Sequence, residues 1–284
     1  MTNPMCFSDG VANNGTYWRW YGRPPNNDPR SRKPPLAMIM GYGGNLATWS
    51  EDFLVRLSET LTSNQGVLAF DHLGSGQSAA IDRTTQLSIG DFAGHLQTVL
   101  DELNIAKADL YGYSMGGCMA LEFMRAWPEC VNKMILCATT GGGKHYRKAT
   151  DEVAQRMQNP RGQTFDEMYF DFLSISMPAE AIERHRDTLT EICTNSRDPA
   201  TPVHVLQMKL RAFRQFDASD VLPSISCPTL VIHGQSDELM PPANGVELAR
   251  HIKDAKLCLI ADCGHYPHIE RQEEVLQLLA DFLQ

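Results

Sequence analysis

Short apolar runs recur along the chain at residues 36–40, 67–70, 109–113, 134–138, 229–233 and 256–260. Each has strand length and is hydrophobic along its length, the pattern of strands in a parallel sheet covered on both faces. An aromatic alternation, GTYWRWYG at 15–22, adds one strand ahead of them. Helical spacing alternates with the runs at 50–61, 88–103, 115–127 and 270–283. Ser88 and Asp91 lie at capping-box spacing. The 115–127 helix stops at Pro128, and Val275, Leu276, Leu278, Leu279 and Phe282 give the last helix a broad apolar face. Strands alternating with helices predict right-handed crossovers and an α/β fold built on a mostly parallel, doubly covered sheet.

One segment breaks the alternation. Between 141 and 220 the pattern is helical only, at 165–176, 178–194 and 202–216. Gly141, Gly142 and Gly143 mark the exit from the sheet, and Pro223 and Pro228 the return. The expected organisation is a core of 1–140 and 221–284 with an inserted helical cap at 141–220. The Pro-rich stretch 23–35, RPPNNDPRSRKPP, is expected to be irregular. There are no internal repeats and no low-complexity tracts.

Composition narrows the function classes. The 284 residues are 43% hydrophobic and 21% charged, enough for a sizeable core. A net charge of −9 repels phosphate backbones and anionic lipid heads, so no nucleic-acid or membrane partner is expected. The eight cysteines, at 6, 118, 130, 137, 193, 227, 258 and 263, mostly lie in apolar runs and form no CxxC pair. They read as reduced core residues of a cytoplasmic protein. The start, MTNPMCFSDG, lacks the basic and apolar regions of a signal peptide. No apolar stretch approaches the roughly 20 residues that span a bilayer.

The chemistry concentrates after the third run. Gly112, Ser114 and Gly116 form G-x-S-x-G between a strand and a helix, the context of a nucleophile elbow. The serine is expected in a strained turn that lifts Oγ clear of the strand end, with the Met115 N–H at the helix start ready to stabilise an oxyanion. A serine needs a base, and the base an orienting acid. Asp237 follows the 229–233 run and His265 follows the 256–260 run, so both are expected at strand ends level with the elbow. Glu238 is the nearest rival acid and Asp262 a less favoured one. His268 could replace His265 as the base. No cysteine or acidic residue at metal spacing joins the two histidines, so no metal is expected there. His233, inside the strand, reads as a packed residue.

After the 36–40 run comes Gly41-Tyr-Gly43-Gly44-Asn45. A glycine-rich loop here lets the backbone approach substrate, with the Tyr42 N–H as a second oxyanion donor. Asp71-His-Leu-Gly74-Ser-Gly76-Gln-Ser78 lacks the third glycine of a dinucleotide fingerprint and does not open directly onto a helix, so it reads as a structural turn. No cofactor is expected.

Together G-Y-S-M-G-G, D-H-L-G-S-G-Q-S, P-T-L-V-I-H-G-Q-S-D and G-H-Y-P-H, in that order, resemble the α/β-hydrolase superfamily, in its lidded group of esterases, lactonases, methylesterases and carbon–carbon bond hydrolases. The resemblance covers nearly all of the chain outside the cap. Two positions depart from the family's pattern: Met40-Gly41 stands where His-Gly is usual, and Leu73 replaces an Arg. The first makes Tyr42 the less secure oxyanion donor. The resemblance implies a cytoplasmic serine hydrolase without a cofactor, acting through Ser114, Asp237 and His265 on an ester, thioester or lactone of a small, partly apolar molecule. Gly41, Gly43, Tyr113, Tyr169 and Phe172 are its expected substrate-binding residues. Acyl transfer by the same triad, or a receptor, cofactor-free oxygenase or perhydrolase role on the same scaffold, are the alternatives.

Overall fold

The computed structural model describes residues 6–22, 33–61 and 65–284. Eight strands form one sheet: β1 (Cys6–Val11), β2 (Tyr17–Tyr21), β3 (Leu36–Ile39), β4 (Val67–Phe70), β5 (Ala108–Tyr113), β6 (Val131–Cys137), β7 (Thr229–Gly234) and β8 (Lys256–Ile260). Their order is β1-β2-β4-β3-β5-β6-β7-β8. β1 and β2 join antiparallel, as do β2 and β4, and every other pair is parallel. Every residue of β3, β4, β5 and β7 is buried, which explains why these strands read as mainly apolar runs, with Asp109, Thr229 and His233 the buried polar exceptions.

Alternate residues of the strands β2 to β7 feed two cores. Ala37, Ile39, Leu68, Phe70, Leu110, Met134, Leu136 and Val231 pack on one face against α2 (Ile89–Glu102), α3 (Met115–Ala126) and α9 (Ala243–His251). Leu36, Met38, Val67, Ala69, Tyr111, Ile135, Leu230 and Ile232 pack on the other against α1 (Glu51–Thr60), α10 (Pro267–Glu270) and α11 (Gln272–Leu283). The sheet is therefore covered twice. Ser88 caps α2 in a reciprocal box with Asp91.

Five helices separate β6 from β7: α4 (Asp151–Gln158), α5 (Phe165–Leu173), α6 (Ala179–Arg184), α7 (Arg186–Ser196) and α8 (Val203–Gln215). Where the chain leaves for them and returns, Gly142 and Asp217 form an antiparallel bridge, and the Ala218 N–H donates to the Gly141 carbonyl. These helices are not a detached lid. Val205, Met208 and Ala212 of α8 enter the first core, while Ala181, Ile182, Leu189 and Ile192 enter the second. Lys209 of α8 is fully buried and donates to Ser75 Oγ at 2.9 Å, where burial pushes its ammonium down to about 8.

Several elements differ from the sequence reading. The helix expected at 178–194 is two, broken at His185, and the one expected at 270–283 is α11, which starts at Gln272 after the separate short α10. β1, α4 and α9 were not foreseen. α9 follows Pro241-Pro242 and carries Gly245 against the His233 ring, so its pattern reads as turn rather than helix. The irregular stretch expected at 23–35 lies outside the described residues except for 33–35.

Candidate active site

The centre of the site is the turn from β5 into α3. Ser114 has φ 55° and ψ −125°, a left-handed backbone that a non-glycine residue adopts only under restraint. The restraint is visible. The Ser114 N–H donates to the Cys137 carbonyl at 2.9 Å, and the Ser114 carbonyl accepts from the Thr139 hydroxyl at 2.6 Å and from the Gly117 N–H at 2.9 Å. The two motif glycines allow the close approach. A Cβ on Gly112 would lie 2.6 Å from Gly117 Cα, and one on Gly116 would collide with the Ile39 carbonyl.

Three side chains from three strand ends converge on this turn. His265 Nε2 is 3.0 Å from Ser114 Oγ, and His265 Nδ1 is 2.7 Å from Asp237 Oδ2. Asp237 and His265 are each only 2% exposed, while Ser114 stays partly open. Asp237 divides its oxygens: Oδ1 accepts the Met240 N–H at 2.8 Å and so shapes its own turn, leaving Oδ2 for His265. Burial pushes its carboxyl up, but His265 and His233 beside it prevail and hold it below the usual carboxylate range. With the donors arranged this way, Nδ1 carries the imidazole proton and Nε2 is free to accept one from the serine.

The rival groups fall elsewhere. Glu238 is exposed; Asp262 is exposed too and lies 3.6 Å from Arg271. His268 is fully buried among Trp49, Phe53, Tyr113 and Tyr266, and burial lowers it to about 3, so at neutral pH it is an uncharged ring in an aromatic cage. His233, also fully buried, points Nε2 at the Met240 carbonyl at 2.7 Å with Asp237 Oδ2 at 3.4 Å. The 71–78 segment is a turn organised by Asp71, which accepts the N–H groups of Leu46 at 2.6 Å and Gln77 at 2.8 Å.

Next to the serine lies the loop after β3. A Cβ on Gly41 would stand 2.9 Å from Ser114 Cβ and 3.3 Å from Met115 N, so this backbone lies beside the start of α3. As the first residue of that helix, Met115 has an N–H without an intrahelical acceptor. Gly43, at φ 73°, faces Leu206 of α8. The partly buried Tyr42 packs against the core that contains α8, and burial raises its phenol.

Of the expected substrate-binding residues, Gly41 lies beside the elbow and Gly43 faces Leu206 of α8. Tyr169 and Phe172 lie half-buried on α5, Tyr169 stacked on Phe165. Tyr113 departs from the expectation. Its ring is 3% exposed and packs 5.3 Å from His265, against Trp49, Tyr266 and His268. Alternation along β5 turns it to the face opposite Ser114, where it packs against His265.

Two supports of His265 were missed by sequence reasoning. Glu270, 4% exposed, accepts the Gly264 N–H at 2.8 Å with one oxygen and the Tyr266 N–H at 2.9 Å with the other, bracketing His265. Burial raises its carboxyl, and the two N–H groups offset part of that rise. From the cap, the Ser176 carbonyl accepts the His265 N–H at 2.7 Å. The available signal was an acidic residue ending the uncharged run 263–269; nothing in the sequence marked Ser176. A groove of about 530 Å³ between α4, the end of α5 and the 237–241 turn reaches Asp237. Another, of about 620 Å³, lies at the opposite sheet end near Lys107, Arg125 and Asn132, away from the three converging side chains.

A sheet of this order, with a serine at a strained strand–helix turn and a buried His–Asp pair behind it, defines a hydrolase class. The family model for the alpha/beta hydrolase fold matches residues 34–272, and the chain belongs to that family. It is a hydrolase of that family. It is 28% identical over 251 residues to a putative carbamate hydrolase, RutD, of Pseudomonas savastanoi, covering 88% of this chain and 93% of the relative. It is 28% identical over 273 residues to the 2-hydroxy-6-oxononadienedioate/2-hydroxy-6-oxononatrienedioate hydrolase of Klebsiella pneumoniae, covering 90% and 89%. Among solved structures, the enol-lactonase of Burkholderia xenovorans superposes with a TM-score of 0.76 at 23% identity, covering 97% of this chain and 99% of that one. Est816, an N-acyl homoserine lactone degrading enzyme, superposes at 0.73 with 25% identity, covering 98% and 100%. Among the described residues no helix is long and apolar enough to cross a membrane.

Proposed function

We propose that the chain is a serine hydrolase that cleaves a carboxylic ester, thioester or lactone of a small, partly apolar molecule through an acyl-enzyme on Ser114. One observation carries this reading: the relay Asp237–His265–Ser114, at 2.7 and 3.0 Å, ends on a serine held in a strained elbow. His265 Nε2 takes the hydroxyl proton as Oγ attacks the carbonyl carbon. Asp237 holds the ring and stabilises the imidazolium that forms. The negative oxygen of the tetrahedral intermediate is received by the Met115 N–H at the start of α3 and by the Tyr42 N–H, each donor being worth about 3–4 kcal/mol. His265 then protonates the departing alcohol or thiol. Water, activated by the same base, releases the acid and restores Ser114.

The substrate enters between the loop 41–45 and the cap, where Gly41, Gly43, Leu206, Tyr169 and Phe172 present mostly apolar surface. The core of 1–140 and 221–284 supplies the chemistry, and the cap of 141–220 supplies the pocket's roof. The relatives' names, carbamate and carbon–carbon bond hydrolases, keep those bonds in the substrate panel. The described cysteines are all unpaired, which supports a reducing, cytoplasmic setting.

The test is labelling with a fluorophosphonate probe, followed by peptide mapping. The adduct is expected on Ser114 and absent in Ser114→Ala, which should lose several orders of magnitude of turnover while staying folded. A folded protein that does not label would overturn the reading. Ester, thioester, lactone, carbamate and vinylogous diketone substrates then decide the bond cleaved. Added alcohol acceptors separate hydrolysis from acyl transfer.

A further inference from the structure

A second group of ligating side chains lies outside the triad. His145 ends the single turn Gly143–His145, where the chain leaves the sheet for the cap, and Glu247 and His251 lie one turn apart near the end of α9. The two segments are pinned together. Asn244, fully buried, accepts the Arg147 N–H at 2.8 Å and donates to the Arg147 carbonyl at 2.8 Å. This places the imidazoles of His145 and His251 with centroids 4.0 Å apart. Nδ1 of each ring is 3.6 Å from the same oxygen, Glu247 Oε2. One ligand atom from each residue lies within 4.8 Å of the other two. The side chains are 12%, 16% and 29% exposed for His145, Glu247 and His251, so the group is sheltered yet open to solvent on one side.

We propose that His145, Glu247 and His251 form a site for a zinc-like divalent transition metal, with water completing a tetrahedral shell. Zinc–nitrogen and zinc–oxygen bonds of about 2.0–2.2 Å put neighbouring tetrahedral ligands roughly 3.3–3.6 Å apart, matching both measured nitrogen–oxygen separations. The other carboxylate oxygen, Oε1, is held by Arg147 Nη2 at 2.6 Å, an outer contact that orients the ligand. His251 Nδ1 faces the Glu247 carbonyl at 2.8 Å; on binding, the neutral ring carries its proton on Nε2 and turns the Nδ1 lone pair to the metal. Two imidazoles and one carboxylate favour a nitrogen-seeking ion over calcium or magnesium, which need several oxygen ligands. The site ties the cap's point of departure to α9, and it stands independently of the reaction at Ser114.

The experiment titrates the full chain with Zn²⁺ against a chromophoric chelator, and with Co²⁺ read by visible absorption. Expected are one tightly bound ion per chain, a higher melting temperature with zinc, and cobalt bands without thiolate charge transfer. His145→Gln and His251→Gln should each weaken binding by tenfold or more, with ester turnover in chelator unchanged. Glu247→Gln is the second probe if a histidine variant unfolds. Wild-type affinity in the folded variants, binding no tighter than millimolar, or a cobalt–thiolate band from Cys130, Cys227 or Cys258 would each overturn the assignment.

Discussion

Glu270 offers the sharpest test of how His265, the proposed base, is held. Its two oxygens accept one backbone N–H on either side of His265, at 2.8 and 2.9 Å. Glu270→Gln keeps the shape but leaves one acceptor and turns an amide N–H toward a backbone N–H. A hydrogen bond to a charged group is worth about 1.5–3 kcal/mol, and an orphaned buried donor costs about 1–3 kcal/mol more. The loop does not melt, because the Ser176 carbonyl still holds the His265 N–H and the Ser236 N–H still binds the Cys263 carbonyl. The loss therefore appears as displacement of the imidazole from its 3.0 Å contact with Ser114 Oγ. A shift of about 1 Å in such a contact costs about a hundredfold. The assay is the second-order rate of fluorophosphonate labelling, with thermal unfolding in parallel. We expect labelling to fall about 10- to 100-fold, and kcat for a p-nitrophenyl ester to fall more than KM rises. A lower melting temperature with labelling within twofold of wild type would refute the argument and leave Glu270 a purely structural residue.

Three further outcomes follow from the geometry. Asp237→Asn should lower turnover by about four orders of magnitude through the wrong imidazole tautomer, whereas Glu238→Gln and Asp262→Asn should stay within twofold; the same ester assay reads all three. Gly41→Ala sets a methyl 2.9 Å from Ser114 Cβ and beside Met115 N, so labelling should drop sharply while far-UV circular dichroism is retained. Asp109, bonded to Gln65 and Asn132, is pushed up to about 6 by burial. Its folded pKa lies above the unfolded one, so the stability it contributes is present below pH 4 and is lost as pH rises through 6. Relative to wild type, Asp109→Asn should thus gain about 2–3 kcal/mol between pH 4 and pH 7 in urea unfolding, and a pH-independent difference would refute this.

The sheet was legible because its strands are buried on both faces. Burial makes 67–70 uniformly apolar and 230–232 an apolar centre between Thr229 and His233, and that pattern is local. The elbow was legible for a related reason: a turn this tight admits only glycine at 112 and 116, so geometry is written into composition. β1 was not legible, since an edge strand paired on one side, Cys6–Val11, needs no continuous apolar run.

What the sequence determined by itself was the strands β2 to β8, most of the crossing helices and the residue types at the strand ends. Their order along the chain was enough to nominate Ser114, Asp237 and His265. Only the tertiary structure decided which carboxylate turns inward: Asp237 is 2% exposed, while Glu238 one position later faces solvent. It also decided that His268, chemically identical to His265, is an uncharged ring caged by aromatics. The placement of Tyr113 against His265, the Glu270 clamp and the approach of His145 to His251 come from contacts between segments distant in the chain or from side-chain direction. The physical reason is that backbone pattern follows from local burial, whereas the protonation state and reach of a side chain depend on the dielectric and partners that the whole fold assembles around it.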